Sequence, residues 1–428
     1  MAQDKNGMSY RFNAEQQQNL KHNFIVNMCD GSFFGFGLGF ASFTAIIPLF
    51  VSQMTSSPLL IGLIPSIHSV GWQLPQLFLA KRISQQKHLK PLVLLMTTQE
   101  RLPFLGLAAL AWFMPAIGVT GTLILTFVLL IWQGLGAGIT ANAWQNMIGK
   151  VFPAETLATF FGSQSAGANL TSSVGAIAAG FILQMNSSNT GYAGCFFICI
   201  LMMGISWIFL RMTREPAYAL ADPSLEQPKL WSNVRQILHD DRPFFGFLLS
   251  RMLFQFGMMG FAFYIVYAVD IIHMDIATAG VMTGILLFTQ VIANPILGWA
   301  ADHWNHKGVL EIGTVASMLS GGLAWLAPNM VTFPLIMILE GIAITTFWTI
   351  GLAYSLSFGP EHARPTYVGI VNTLSAPAAI IAPLFGGWLA AISGYPVTFL
   401  ASAVASLVTG LVLHFLITAP AKNKRAAI

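Results

Sequence analysis

Charge is scarce in this chain: 8% of its 428 residues are Asp, Glu, Lys or Arg, against about 25% in soluble globular domains, while 55% are hydrophobic. A water-soluble globule is excluded. Cysteine is scarce too. Cys29, Cys195 and Cys199 all lie in apolar stretches, and no His or carboxylate accompanies the last two to complete a ligand set, so no metal site is expected. The first 23 residues are polar and lack the apolar core and cleavage site of a signal peptide, so the first apolar span is expected to direct insertion itself. No Walker loop is found, which argues against direct use of ATP, and no His and carboxylate cluster has the spacing of a catalytic centre. An enzyme is therefore not expected, nor is a cofactor.

What is present is a series of apolar segments. Twelve run at about 24–52, 58–80, 91–113, 121–148, 160–184, 192–212, 243–270, 277–300, 309–327, 332–357, 367–391 and 396–418. At about 18 to 28 residues, each suffices to cross roughly 30 Å of hydrocarbon as a helix and exceeds a barrel strand. Basic residues are missing from every odd-numbered gap. Apart from Arg101 and Arg251, all Lys and Arg fall in the tails or in and beside the even-numbered gaps. Short loops rich in Lys and Arg stay cytoplasmic, so both termini are expected inside the cell and the chain in its plasma membrane. The net charge of +4 then belongs to loops facing anionic lipid, and nucleic acid is not an expected partner.

The expected fold is an all-α membrane protein of twelve transmembrane helices in two pseudo-symmetric six-helix bundles. Residues 1–23 form a cytoplasmic tail, 24–212 the first bundle, 213–242 a cytoplasmic linker, 243–418 the second bundle and 419–428 a second tail. The repeat rests on coincident Gly and Pro. An offset of 207 pairs Gly134 with Gly341, Pro153 with Pro360, Gly162 with Gly369 and Gly180 with Gly387, and an offset of about 220 pairs Pro75 with Pro295 and Lys87 with Lys307.

The loop after the eighth span carries Gly298, Ala301, Asp302 and Lys307, which resembles the Gly-x-x-Ala-Asp-x-x-x-x-basic loop of the major facilitator superfamily. In the loop after the second span, Phe78 and Arg82 stand where that family has Gly and Asp; in the fourth span Gln133, Gly134 and Gly136 are kept but Leu130 replaces the usual Arg. The resemblance implies transport by alternating access, with spans one, four, seven and ten lining a cavity. It also implies that Asp302, which like Lys307 and Arg364 belongs to a cytoplasmic loop, docks near the start of span eleven, where a helix N-terminus carries partial positive charge, and braces one conformation.

Ionisable groups inside the spans are costly unless paired or wetted, which singles out Asp30, Glu100, Arg101, Arg251, Glu311 and Glu340. Glu340, at mid-depth in the tenth span and matching Gln133 in the fourth, is the first choice for a proton-coupling or substrate carboxylate. Asp30 and Arg251 sit at equivalent depths of spans one and seven, so they either pair across the halves as a gate on the cytoplasmic side, or each finds a partner in its own half or reaches the headgroup region. Glu100 and Arg101 are about 100° apart on one helix and must face different partners. Phe34, Trp132, Asn142, Gln145, Tyr264, Trp348 and Thr349 are candidates for an aromatic cavity with amide and hydroxyl groups, suited to an amphipathic organic solute. The expected function is a secondary active transporter of a small organic solute, proton-coupled and exporting amphipathic compounds, working as a monomer; the alternatives are a solute receptor or sensor without net transport, or an uncoupled facilitator.

Overall fold

The computed structural model describes residues 2–84, 88–152, 154–216, 230–355, 358 and 364–417, and its elements are helical throughout. In chain order they are α1 (Ala2–Phe40), α2 (Ile46–Ser52), α3 (Pro58–Ser84), α4 (Lys90–Ile117), α5 (Val119–Val151), α6 (Ala154–Met185), α7 (Asn189–Arg211), α8 (Leu230–Asp240), α9 (Arg242–Gly257), α10 (Tyr264–Asp270), α11 (Ile276–His303), α12 (His306–Leu326), α13 (Phe333–Thr345), α14 (Gly351–Ser355), α15 (Arg364–Ser393) and α16 (Tyr395–Leu416). Among the described residues, ten helical stretches are long and apolar enough to cross a membrane, and Pro58–Trp72 is a shorter apolar one. With α1, these occupy the twelve positions read from the sequence.

Two spans expected to be continuous are broken. The first stops at Phe40 and resumes at Ile46. Between them the Ser42 hydroxyl accepts from the Thr44 amide at 3.3 Å and meets the Thr44 hydroxyl at 3.0 Å, a local bond that competes with the helical ladder. The seventh stops at Gly257, whose freed carbonyl accepts from the hydroxyl of Ser402. A third irregularity is the π turn Thr346–Ile350 between α13 and α14.

The chain forms two compact units, Met1–Ser224 with Phe263–Val291 and Leu225–Ala262 with Ile292–Ile428. In the first, Leu89, Val93, Met147, Phe152 and Phe160 form an apolar cluster, with the Phe152 and Phe160 rings stacked at 4.2 Å. Here α6 and α11 cross closely: a Cβ on Gly180 would lie 2.8 Å from the Gly280 Cα and 3.0 Å from the Ile276 carbonyl. The Ser173 hydroxyl donates to the Gly284 carbonyl at 2.8 Å along the same crossing. Backbone cannot yield as a side chain can, so Gly180→Ala is expected to destabilise by about 1–3 kcal/mol. Gly162→Ala, where a Cβ meets nothing within 4 Å, serves as the comparison. Thermal melting of both variants in detergent checks this, and equal melting temperatures would count against the crossing.

In the second unit Phe244, Phe247, Tyr354, Phe358 and Tyr367 form an aromatic cluster. Lys307, the basic residue of the loop pattern, donates to the carbonyls of His414 and Ile417 at 2.8 Å each, capping the end of α16 where the helix dipole is negative. Glu311 lies beside it, 3.8 Å from Lys307 Nζ and 3.2 Å from His414 Nδ1. At the start of α11, outside the spans, Asp275 accepts from the Thr278 amide and hydroxyl at 2.9 and 2.6 Å, which holds its carboxyl below the ordinary value.

Candidate functional site

Within the first unit lies a cavity of about 280 Å³ between α1, α3, α4, α5 and α6. Three of its lining residues are ionisable: Asp30 from α1, and Glu100 and Arg101 from α4. Phe34, Trp72 and Trp144 supply aromatic wall, and Thr140, Gln145 and Gln164 supply hydroxyl and amide groups. The approach of α5 to α4 depends on Gly136, where a Cβ would sit 2.8 Å from the backbone of Gln99 and Glu100. Any side chain at that position would displace the segment that carries Glu100 and Arg101.

Arg101 is 6% exposed and its donors are engaged. Nη2 donates to the Ser206 hydroxyl at 2.8 Å and lies 3.5 Å from Asp30 Oδ1, Nε donates to the Met203 carbonyl at 3.2 Å, and Nη1 to the Thr97 carbonyl at 3.3 Å. Its guanidinium also lies 5.0 Å from the centre of the Phe34 ring, within cation–π range. Asp30, 5% exposed, accepts from the Ser206 hydroxyl at 2.6 Å, so Ser206 bridges acid and base. Glu100 faces the cavity from the next position on the helix and, among the described residues, accepts no hydrogen bond and closes no ion pair. The two neighbours thus have different surroundings, as the 100° between them requires.

Of the residues singled out in the sequence, the cavity brings together Asp30, Glu100, Arg101, Phe34 and Gln145. Asp30 has its partner in Arg101, on its own unit. Arg251 donates to the Phe347 carbonyl exposed by the π turn, with its guanidinium 3.9 Å from the centre of the Phe347 ring and 5.9 Å from that of Trp348. It closes no ion pair with a carboxylate among the described residues. Of the two readings offered by equal depth, each charge finding a partner in its own half is the arrangement seen here.

Glu340 does not line the cavity. It is 1% exposed in the second unit, hydrogen-bonded to the Ser320 side chain, and its Oε1 has no partner. Trp132 lies 40% exposed with its indole NH on Gln99 Oε1 at 3.2 Å, and is not part of the wall. Tyr264 is fully buried in α10, and the Thr349 hydroxyl donates to Asn294 Oδ1 at 2.7 Å. Gly298 lies within α11 with open space around its Cα. The side chains of Asn142, Asp302 and Arg364 lie outside the described residues.

Sequence reasoning missed Trp72, Thr97, Thr140 and Gln164 in the wall. The His68 ring stacks on Phe43 at 4.1 Å, and its Nδ1 meets Gln133 Oε1 at 2.9 Å. No group of three or more His, Cys, Asp or Glu suited to a metal ion occurs among the described residues.

Against this geometry, the sequence pattern of the Major Facilitator Superfamily matches residues 100–269 and 247–427. A transcription regulatory protein of Pseudomonas aeruginosa, OpdE, is 30% identical over 118 residues, 28% of this chain and 29% of that protein. Multidrug resistance protein 2 of Bacillus subtilis is 23% identical over 173 residues, 40% of this chain and 43% of that protein. The chain thus matches less than half the length of either. Among solved structures, a variant of the nucleoside transporter NupG superposes with a TM-score of 0.71 at 14% identity, covering 92% of this chain and 100% of that one. A D-xylose–proton symporter superposes with a TM-score of 0.67 at 16% identity, covering 92% and 97%. At these identities the likeness is one of fold.

Proposed function

The chain belongs to the major facilitator superfamily, and from that premise we propose that it is a secondary active transporter that moves a small organic solute by alternating access, coupled to protons, with the solute held in the cavity of the first unit. The observation that carries this reading is the buried Asp30–Arg101 pair at the wall of that cavity. A carboxyl beside a solute site can exchange its hold on a guanidinium for a proton. Such a change alters the charge a solute meets and the contacts that tie α1 to α4 and α7, which is what coupling requires. The chain is proposed to sit in the plasma membrane with both termini in the cytoplasm, on the strength of the one-sided distribution of Lys and Arg.

Asp30 thereby replaces Glu340 as the favoured proton carrier, because Asp30 meets the cavity and Glu340 does not. In proteoliposomes with an internal pH dye, addition of a transported solute is expected to change the internal pH. Asp30→Asn is expected to reduce that signal by about tenfold or more, and Glu340→Gln by no more than about twofold. The reverse ranking would move the proton site to the second unit. A sensor reading draws support from the partial likeness to OpdE, a transcription regulatory protein. Labelled solute separates the two: binding without accumulation or exchange would favour the sensor.

A further inference from the structure

Carboxyl groups outnumber guanidinium groups on the wall of the cavity. Its ionisable lining residues are two carboxyls, Asp30 and Glu100, against one guanidinium, Arg101. The guanidinium is already committed to Asp30, to the Ser206 hydroxyl and to the carbonyls of Met203 and Thr97. Asp30 is likewise committed, to Arg101 and Ser206. Glu100 is the remaining ionisable group of the wall; it has no hydrogen bond or ion pair of its own among the described residues, and the neighbouring Arg101 charge acts on it only through space. The surfaces around it include the aromatic rings of Phe34, Trp72 and Trp144, whose faces attract cations.

From this arrangement we propose that the solute is a monovalent organic cation with a small apolar body, and that Glu100 is its counter-ion. The inference rests on the reading of this cavity as the solute site. A monovalent cation beside Glu100 brings the ionisable groups of the wall to neutrality. A carboxylate or phosphate solute would add like charge in a poorly hydrated space, beside a guanidinium already engaged by Asp30, the Ser206 hydroxyl and two carbonyls. A neutral solute would leave Glu100 desolvated and unpaired when the cavity fills. The volume also limits the body: about 280 Å³ is at the small end of ligand sites, which run roughly 300–1,000 Å³, so a single-ring amine fits where a polycyclic one does not.

The test uses three probes of similar shape on the full-length purified chain. Benzyltrimethylammonium carries a permanent positive charge, neopentylbenzene is its uncharged isostere, and phenylacetate is an anion. Equilibrium binding of the labelled cation, with the other two as competitors, is measured for the wild-type chain and for Glu100→Gln. The expected result is that the cation binds, that neither competitor displaces it at comparable concentration, and that Glu100→Gln weakens the cation by about thirtyfold or more. Glu100→Asp should recover part of the loss. Displacement by phenylacetate or neopentylbenzene as effective as by unlabelled cation would overturn the proposal, as would unchanged cation binding in Glu100→Gln or no binding of the cation at all. The competition in the wild-type chain decides the matter even if the variants fail to fold. Cation binding without flux in proteoliposomes would defeat the transport reading and leave the cation site standing, whereas flux of phenylacetate without flux of the cation would do the opposite.

Discussion

Arg101→Ala is expected to abolish solute flux and to destabilise the first unit by about 3–5 kcal/mol, the usual cost of stripping one partner from a buried ion pair. The size follows from what the guanidinium holds. It joins α4 to α1 through Asp30 and to α7 through Ser206 and the Met203 carbonyl, with Asp30 5% exposed and Arg101 6%. Truncation leaves the Asp30 carboxylate buried without its counter-charge and the carbonyls of Met203 and Thr97 without the donor. Arg101→Lys is expected to be a partial loss: a single ammonium cannot span acceptors on α1, α4 and α7 as a planar fork does. The double variant Asp30→Asn, Arg101→Met removes both charges, so it should melt above Arg101→Ala while remaining without flux. Melting curves in detergent for Asp30→Asn, Arg101→Met and the double variant give the coupling between the sites. Strictly additive melting effects would mean that the two charges do not stabilise each other.

The pair also shows where sequence reasoning stops. Span positions were legible because hydropathy is a one-dimensional signal, and the described helices stand at the expected positions. Depth in the membrane was legible for the same reason, and it put Asp30 level with Arg251. Azimuth was not. Whether Asp30 faces α4 or another helix depends on how α1 is turned in its bundle, and a span that is apolar all round has no polar face from which to read it. Trp132 and Gln133 make the same point at one residue's separation. Gln133 is 1% exposed and bonded to His68, so its neighbour, rotated by about 100°, points elsewhere and never reaches the cavity. Trp72 was missed although His68, four residues before it on the same helix face, and the adjacent Gln73 mark that part of the span as polar.

Glu215→Ala is expected to destabilise the first unit about as much as the loss of Arg101, by about 3–5 kcal/mol. In sequence Glu215 belongs to a run of charged and Pro residues that reads as linker from 213 onward, where a solvated carboxylate would be the ordinary expectation. The structure buries it. Its two oxygens accept from the amides of Leu89 and Lys90 at 2.8 Å each, so a residue that follows α7 caps the first turn of α4, where unpaired N–H groups and the positive end of the helix dipole favour an anion. Lys150, in the last turn of α5, lies 3.5 Å from Oε1, and the two side chains are 4% and 7% exposed for Glu215 and Lys150. The approach is held from the other side as well, because the Arg214 amide donates to Asn23 Oδ1 at 2.8 Å and the Thr213 hydroxyl to Asn27 Oδ1 at 3.3 Å, both on α1. Residues 213–215 therefore tie α7 to α1, α4 and α5 instead of leading away from the bundle. Alanine removes the acceptor from two helix-terminal amides and the charge from beside a buried ammonium. Glutamine keeps one acceptor oxygen and loses the charge, and should fall between wild type and alanine. Melting temperature together with hydrogen exchange at the Leu89 and Lys90 amides measures both consequences. Faster exchange there without a lower melting temperature would reduce Glu215 to a local cap, and no change in either would return it to the solvated linker charge that its neighbours in sequence suggest.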